Sequence, residues 1–291
     1  MEGVYHGTDF LRDIALGNLP RVAGKRVAIV GGGDVAIDVA RSAWRLGAGE
    51  VHMIYRRTLK DMPAHKEEIE AAEAEGTIFN FLTNPVRVVG KNGKMTGVEV
   101  QNQVLGSFDS SARRRPVPQE GSNFVIEADV LVPAIGQDTD LSWLDGSGIE
   151  ANRNAAFAVN DALATTRPGI FAAGDSVSGP ATVIQAVAQG NQVAWEVDRY
   201  LRTGKVEKTP VVAGYEVVEQ EFNLDDYANA HRPEMPELPI AERRGNFNEV
   251  EQGMDEVAIR EECKRCLRCD LEWLERQELA FEAVPEQILS P

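Results

Sequence analysis

Two sets of residues in this 291-residue chain have the types and spacing for chemistry. The first is a glycine loop, Gly31-Gly32-Gly33-Asp34-Val35-Ala36, which reads as G-x-G-x-x-A after the apolar run Val27 to Val30. In this pattern Gly31 allows a tight turn, Gly33 has no Cβ to hold a pyrophosphate away, and Ala36 is small enough for helix and strand to pack closely. A helix starting here offers N–H groups and a positive dipole end to phosphates. Arg56 and Arg57 follow a second apolar run, Val51 to Tyr55. An acid at that place binds a ribose 2′-hydroxyl, whereas Arg accommodates a 2′-phosphate, so the pair favours NADPH. NADH stays open, because Arg also lies along the sugar edge in NAD-binding proteins. The plainer alternatives are a glycine-rich turn that binds nothing and a solvated strand end.

The second set is Cys263, Cys266 and Cys269, the only cysteines, within seven residues. A tight C-x-x-C-x-x-C with an odd count is no disulfide framework; it reads as a metal or cluster site in a reducing compartment. A [4Fe–4S] cluster takes four ligands, so a fourth would come from Asp270, a partner chain or sequence outside this one. Zinc with an outside ligand is an alternative. So is a helix that merely contains three cysteines.

The elements that must position these residues follow from periodicity. Lys25 to Tyr55 reads as strand, glycine turn, helix, strand, within the roughly 30 residues of a βαβ unit. A short amphipathic helix precedes it, Thr8 to Leu16. Met62-Pro63-Ala64 opens a helix to about Glu75, and a meander follows with a hairpin turn at Asn92-Gly93. Arg113-Arg114-Arg115 to Gly121 reads as a loop. Ala128 to Gln137 is a buried strand ending at Ala134, Ile135 and Gly136, and the carboxyl ends of such strands are where open α/β sheets bind ligands. Downstream, Gly169 to Ala173 is a strand, then Gly174-Asp175, a loop and a helix from about Ala181 to Leu201. Asp175 can accept hydrogen bonds from a polyol or ribose, and the helix start at Thr182 and Val183 can face an anionic or electron-rich group. Prolines interrupt an acidic stretch from 205 to 250, which reads as a linker wrapping another surface. Met254 to Leu274 reads as a helix carrying the cysteines.

The net charge is −16, and the stretch from Val206 onward holds 21 Asp and Glu against 9 Lys and Arg. That balance argues against nucleic acid; it suits a basic protein partner or a solubilising surface. No apolar run approaches the ~20 residues of a membrane helix. The first residues lack a signal-peptide pattern, so the cytoplasm is the expected compartment.

Taken together, VAIVGGGDVAIDVARSAWRLGA, YRR, MPA, the AIGQ strand end, TRPGIFAAGDSVSGPATVIQAVAQG and ECKRCLRCD resemble the glutamate synthase small-subunit type of NAD(P)H:flavin oxidoreductase. That family includes the reductase part of dihydropyrimidine dehydrogenase. The resemblance covers about residues 1–203 and the cysteine tail. It implies an α/β fold in which a Rossmann-like NADPH domain, 24–137, interrupts an FAD domain. On this pattern 1–23 is a connector, 138–204 the C-terminal part of the FAD domain, 205–252 an extended linker and 253–291 a helical Cys-rich tail. It implies NADPH at Gly31, Gly33, Arg56 and Arg57. It implies FAD at Gly174 and Asp175, on the ribityl–phosphate side, and at Thr182 and Val183, beside the flavin ring. Hydride would pass from NADPH to flavin, and electrons onward through iron–sulfur centres to a protein acceptor or large subunit.

Three departures qualify the pattern. Position 34 is Asp where the family often has Asn, and a carboxylate there repels a pyrophosphate unless it turns away to cap the helix. No upstream G-x-G-x-x-G supplies the ADP half of an FAD site, and EGVYHGTDFLRDI resembles an internal family segment. The expectation is therefore the C-terminal part of a longer reductase, as a split subunit, a truncation or a fragment, with its FAD site completed by a partner chain or a missing N-terminal half. The third departure is the three-ligand cysteine run. No C-x-x-C lies in the nucleotide stretch, which argues against a dithiol relay of the thioredoxin reductase type.

Overall fold

A computed structural model describes residues 2–109, 113–137, 139–152, 156–206 and 231–265. It divides into two compact units, Met1–Ile135 with Val217–Pro291, and Gly136–Glu216.

The first unit is built on a four-stranded parallel sheet. Its strands are β1 (Arg26–Val30), β2 (Glu50–Tyr55), β3 (Ile78–Phe81) and β7 (Val130–Pro133), in the order β3-β2-β1-β7. The register is continuous, with Ile29 beside Met53 on one side and Val132 on the other. Side chains alternate across a strand, and β1 shows the consequence. Val27 and Ile29 face a core with Phe10, Ile37, Val39 and Ala40, contributed by helices α1 (Gly7–Ala15) and α2 (Asp34–Arg45). Ala28 and Val30 face the opposite core, with Met95, Val98, Val100 and Ile126. A sheet covered on both faces needs continuous apolar strands, which is why RVAIV lacks the alternation of a half-exposed strand.

The second cover is an antiparallel meander of β4 (Thr83–Lys91), β5 (Lys94–Phe108) and β6 (Arg114–Glu127). Asn92 and Gly93 both take positive φ, 53° and 79°, at the expected hairpin turn. The predicted loop at Arg113–Gly121 is instead, from Arg114 on, the start of β6, paired with β5 from Phe108–Arg114 to Gly97–Glu127. Its polar and glycine residues mislead because they serve a two-strand extension beyond the core. Gly121 and Ser122 lie where the register skips between Gln103–Pro118 and Gln101–Asn123.

Helix α3 (Lys66–Ala74) lies beside α2. The polar segment 231–251 docks on the same unit. Helix α6 (Ile240–Arg243) ends in a buried arginine whose Nη1 lies 2.9 Å from Glu75 Oε1, and Arg41 Nη2 is also 2.9 Å from that atom. The side chains of Glu75 and Arg243 are 5% and 8% exposed. Arg244 stacks over the Trp44 ring at 4.8 Å, and Arg45 over Phe247 at 5.6 Å. Helix α7 (Glu256–Lys264) follows, capped by Asp255, whose carboxylate accepts from Ala258 N.

The second unit has short β-bridges, Ala151 with Phe157, Val159 with Thr165 and Ala164 with Phe171. They lead to a four-residue helix α4 (Asp175–Ser178) and a long helix α5 (Val183–Thr203). Phe171 meets Tyr200 edge to face at 5.8 Å. Much of α5 is uncovered: Val183, Ile184, Val187, Trp195 and Leu201 are all exposed. Among the described residues no helix is long and apolar enough to cross a membrane.

Candidate dinucleotide-binding site

The three glycines of the loop serve three different needs. Gly31 has φ +146°, and a Cβ there would stand 2.3 Å from Ala134 O. The chain is that close because Gly31 N bonds to Ile54 O at 3.1 Å and Ala134 N to Val30 O at 2.7 Å, tying the loop to both neighbouring strands. Ala36 is fully buried, its Cβ 3.2 Å from that same point. Gly32 is forced by the ring of Tyr55, 2.5 Å from where its Cβ would be. Gly33 has no such constraint. Its φ of −94° suits any residue, and a Cβ would meet only Pro63 Cγ at 3.8 Å. The protein itself leaves space there, at the N-cap of α2, where first-turn N–H groups point out of the helix. A cradle that a Cβ would fill, at the N-terminus of a 12-residue helix, fits a pyrophosphate.

Asp34 does turn away, but not to cap its own helix. Its Oδ1 accepts from His65 N at 3.1 Å and lies 3.0 Å from His65 Nδ1. Partial burial works against the charge, yet the hydrogen bonds from His65 outweigh it and hold the Asp34 carboxyl below the usual range. The bond to Asp34 raises the His65 imidazole in turn. The carboxylate is thus paired with the start of α3. Val35, next in α2, is exposed.

A brace missed by sequence reasoning holds this arrangement. Residues 58–65 fold back over the glycine loop. Thr58 N and Oγ1 donate to Asp61 Oδ2, Tyr55 OH donates to Asp61 O at 2.7 Å, and Ala64 N to Gly32 O at 3.3 Å. The MPA motif thereby walls the loop instead of opening the helix, which begins at Lys66. The one signal available was Pro63 in the segment between β2 and α3, too short in range to show what it touches.

The two arginines part company. Arg56 is exposed at the end of β2. Arg57 is buried, with Nη2 donating to Asp109 Oδ2 at 2.7 Å and Nε to Arg114 O at 3.0 Å. At the end of β7, Ala134 is half-buried beside Gly31, and Ile135 is exposed.

In the second unit Gly136 has φ +116° with open space around it, and Gly174 has φ +71°. Gly174 N donates to Gln189 Oε1 at 2.6 Å, and Asp175 Oδ1 accepts from Ala181 N at 3.3 Å. Thr182 is the N-cap of α5, and Gln185 Oε1 accepts from Thr182 N at 3.1 Å. Val183 is 82% exposed. Gly174, Asp175, Thr182 and Val183 therefore gather around the loop that precedes α5. Of the cysteines, Cys263 is exposed on α7 with no disulfide partner among the described residues; Cys266, Cys269 and Asp270 lie outside the described residues. Among the described residues no group of three His, Cys, Asp or Glu converges on a metal position.

A parallel sheet whose first βα turn is a glycine loop opening on a helix N-terminus defines a dinucleotide-binding oxidoreductase fold. The chain belongs to the pyridine nucleotide-disulphide oxidoreductase family, whose profile matches residues 2–190. It is 47% identical over 274 residues to the NADP(+)-dependent formate dehydrogenase subunit beta of Moorella thermoacetica, covering 92% of this chain and 39% of that one. It is 35% identical over 177 residues to the glutamate synthase [NADPH] small chain of Escherichia coli, covering 59% of this chain and 38% of that one. The chain spans less than half the length of these curated relatives. The crystal structure of T. acidophilum thioredoxin reductase shares the fold, with a TM-score of 0.56 at 22% identity over 69% of this chain and 59% of that one.

Proposed function

We propose that this chain is an NADPH-dependent flavoprotein oxidoreductase, or a subunit or fragment of one, passing electrons from NADPH via FAD to iron–sulfur centres or a partner acceptor. The observation that carries the reading is the cradle at Gly33, a glycine the fold does not need and a dinucleotide does. Gly31–Ala36 would hold the pyrophosphate against the α2 N-terminus. Asp34 is turned to His65, which lessens its repulsion of the phosphates. Of the two arginines after β2, the exposed Arg56 would take the 2′-phosphate, while Arg57 is buried against Asp109. Ala134, Ile135 and Gly136 would border the nucleotide at the end of β7. On this reading 24–137 is the NADPH domain, and 138–204 belongs to an FAD domain joined through 205–252 to the Cys-rich tail.

Gly174 and Asp175 would face the ribityl–phosphate part of FAD, and Thr182 and Val183 its ring system. The flavin, when bound, supplies the exchange between two-electron and one-electron chemistry. The chain contributes placement, since hydride transfer to flavin needs no protein acid or base. Cys263, Cys266 and Cys269 would ligate a [4Fe–4S] cluster, with a fourth ligand from elsewhere. The relatives' names, which specify NADP(+) and NADPH, support the choice of nucleotide.

A second reading is favoured by the uncovered face of α5, where Val183, Ile184 and Val187 lie exposed. An apolar helix face of this kind is normally covered. On that reading the chain is an NADPH-binding module whose FAD site is completed by further polypeptide, in a partner chain or in an N-terminal half. One spectrum separates the two. Anaerobically purified protein that is yellow and bleaches on NADPH addition supports the enzyme. A colourless protein that binds NADPH supports the module, and a protein that does neither refutes both.

A further inference from the structure

Asp34 and His65 meet at the mouth of the glycine loop. Asp34 is the first residue of α2, one position past the N-cap Gly33, so its carboxylate stands on the helical turn whose N–H groups face the cradle. Its Oδ1 accepts from His65 N at 3.1 Å, and His65 Nδ1 lies 3.0 Å from the same oxygen. The brace keeps His65 in place. Ala64 N, one residue earlier, donates to Gly32 O at 3.3 Å, and Pro63 Cγ stands 3.8 Å from where a Cβ of Gly33 would be. Among the described residues no other cation pairs with Asp34. An ionised carboxylate oxygen only accepts, so Nδ1 carries a proton in both charge states of the ring. The proton that titrates is the one on Nε2. Losing it leaves the bond in place and changes only the charge. The pair is neutral with the imidazolium and carries −1 with the neutral ring, beside the place where a pyrophosphate would bring further negative charge.

We propose that His65 is the counter-charge of the pyrophosphate cradle, and that NADPH binding draws a proton onto its Nε2. This rests on the reading of the Gly31–Ala36 loop as an NADPH site and adds a control to it. The charged groups that act on the ring are Asp34, from α2, and Glu67 and Glu68, from its own helix. The hydrogen bond to Asp34 is the largest influence, and all three raise the imidazole above its ordinary 6.5. The charge therefore changes near neutral pH, and NADPH affinity is highest below that value and falls as pH rises through it. The side chains of His65 and Asp34 are 76% and 54% exposed. Solvent screens an exposed pair, so the coupling is about threefold in Kd. A threefold coupling moves at most about a quarter of a proton per NADPH bound.

The test is calorimetric titration of the full chain with NADPH between about pH 6 and 9, in two buffers of different ionisation enthalpy, which reads Kd and proton uptake together. The 2′-phosphate also titrates, near pH 6, but equally for wild type and variants, so the difference between them belongs to His65. The expected result is that His65→Gln loses about a quarter of a proton of uptake. It should bind about threefold more weakly than wild type at pH 6 and alike at pH 9. Asp34→Asn should return the ring to its ordinary value and move the uptake to lower pH, which a merely structural bond would not do. Wild type with the same uptake and pH profile as His65→Gln overturns the counter-charge and leaves the nucleotide site standing. An uptake that Asp34→Asn leaves at the same pH overturns the pairing. A wild type that binds no NADPH at any of these pH values refutes the site itself, and the counter-charge with it.

Discussion

Replacing Gly31 and Gly33 in turn by Ala should separate folding from binding within one loop. At Gly31 the added methyl meets Ala134 O at 2.3 Å in a backbone with φ +146°. The dihedral alone costs about 1–3 kcal/mol. Moving Ala134 also weakens the 2.7 Å bond from its N–H to Val30 O, for about 1 kcal/mol more. A total near 3 kcal/mol lowers the melting temperature by about 6–12 °C in a domain of this size. At Gly33 the nearest atom is 3.8 Å away and φ is −94°. The lost chain entropy of the unfolded state stabilises Gly33→Ala by about 0.4–1 kcal/mol. Ala is a poorer N-cap than Gly by a similar amount, so net stability changes by less than about 0.5 kcal/mol. Binding should behave in the opposite way. A methyl in the cradle displaces the pyrophosphate from one or more N–H groups at about 1.5–3 kcal/mol each, raising the NADPH Kd about 10- to 100-fold. Thermal melts with a nicotinamide fluorescence titration read both quantities. A Gly33→Ala protein that melts like wild type and still binds NADPH within twofold would refute the assignment of Gly33.

Two further outcomes concern the docked segment. Arg243→Ala removes one of two arginines from Glu75, which is 5% exposed. Breaking a buried pair costs about 3–5 kcal/mol, and because Arg41 remains the loss should be near 3 kcal/mol; a melting temperature unchanged within 1 °C would contradict it. The same network sets a pH dependence. Burial raises the Glu75 carboxyl, but the hydrogen bonds from Arg41 and Arg243 outweigh it, so its folded value lies below the ordinary 4.5. Below that value the unfolded chain binds the proton first, so the contribution is complete above about pH 5 and falls away as pH drops through the folded value. Urea midpoints between pH 6 and 3 should show this acid loss for wild type and less of it for Glu75→Gln.

The βαβ core and the glycine loop at its first turn are legible in the sequence. The period-2 and period-3.6 patterns are local, and a glycine fingerprint between a strand and a helix leaves few folds open. The residues of the loop, the hairpin at Asn92-Gly93 and the helix before Leu201 were all legible for that reason. Tertiary structure alone decided what each polar side chain touches. Asp34 looked like a cap for α2 and pairs with His65, 31 residues on. Arg57 looked like a twin of Arg56 and is buried against Asp109, across 52 residues. Residues 231–251 read as a linker, yet Arg243 reaches Glu75 across 168 residues. Such contacts depend on which surfaces the packed strands bring within about 3 Å, the range of a hydrogen bond. No local pattern carries that information, because a buried ion pair is chosen by the space and charge around it and not by the neighbours of either residue in the chain.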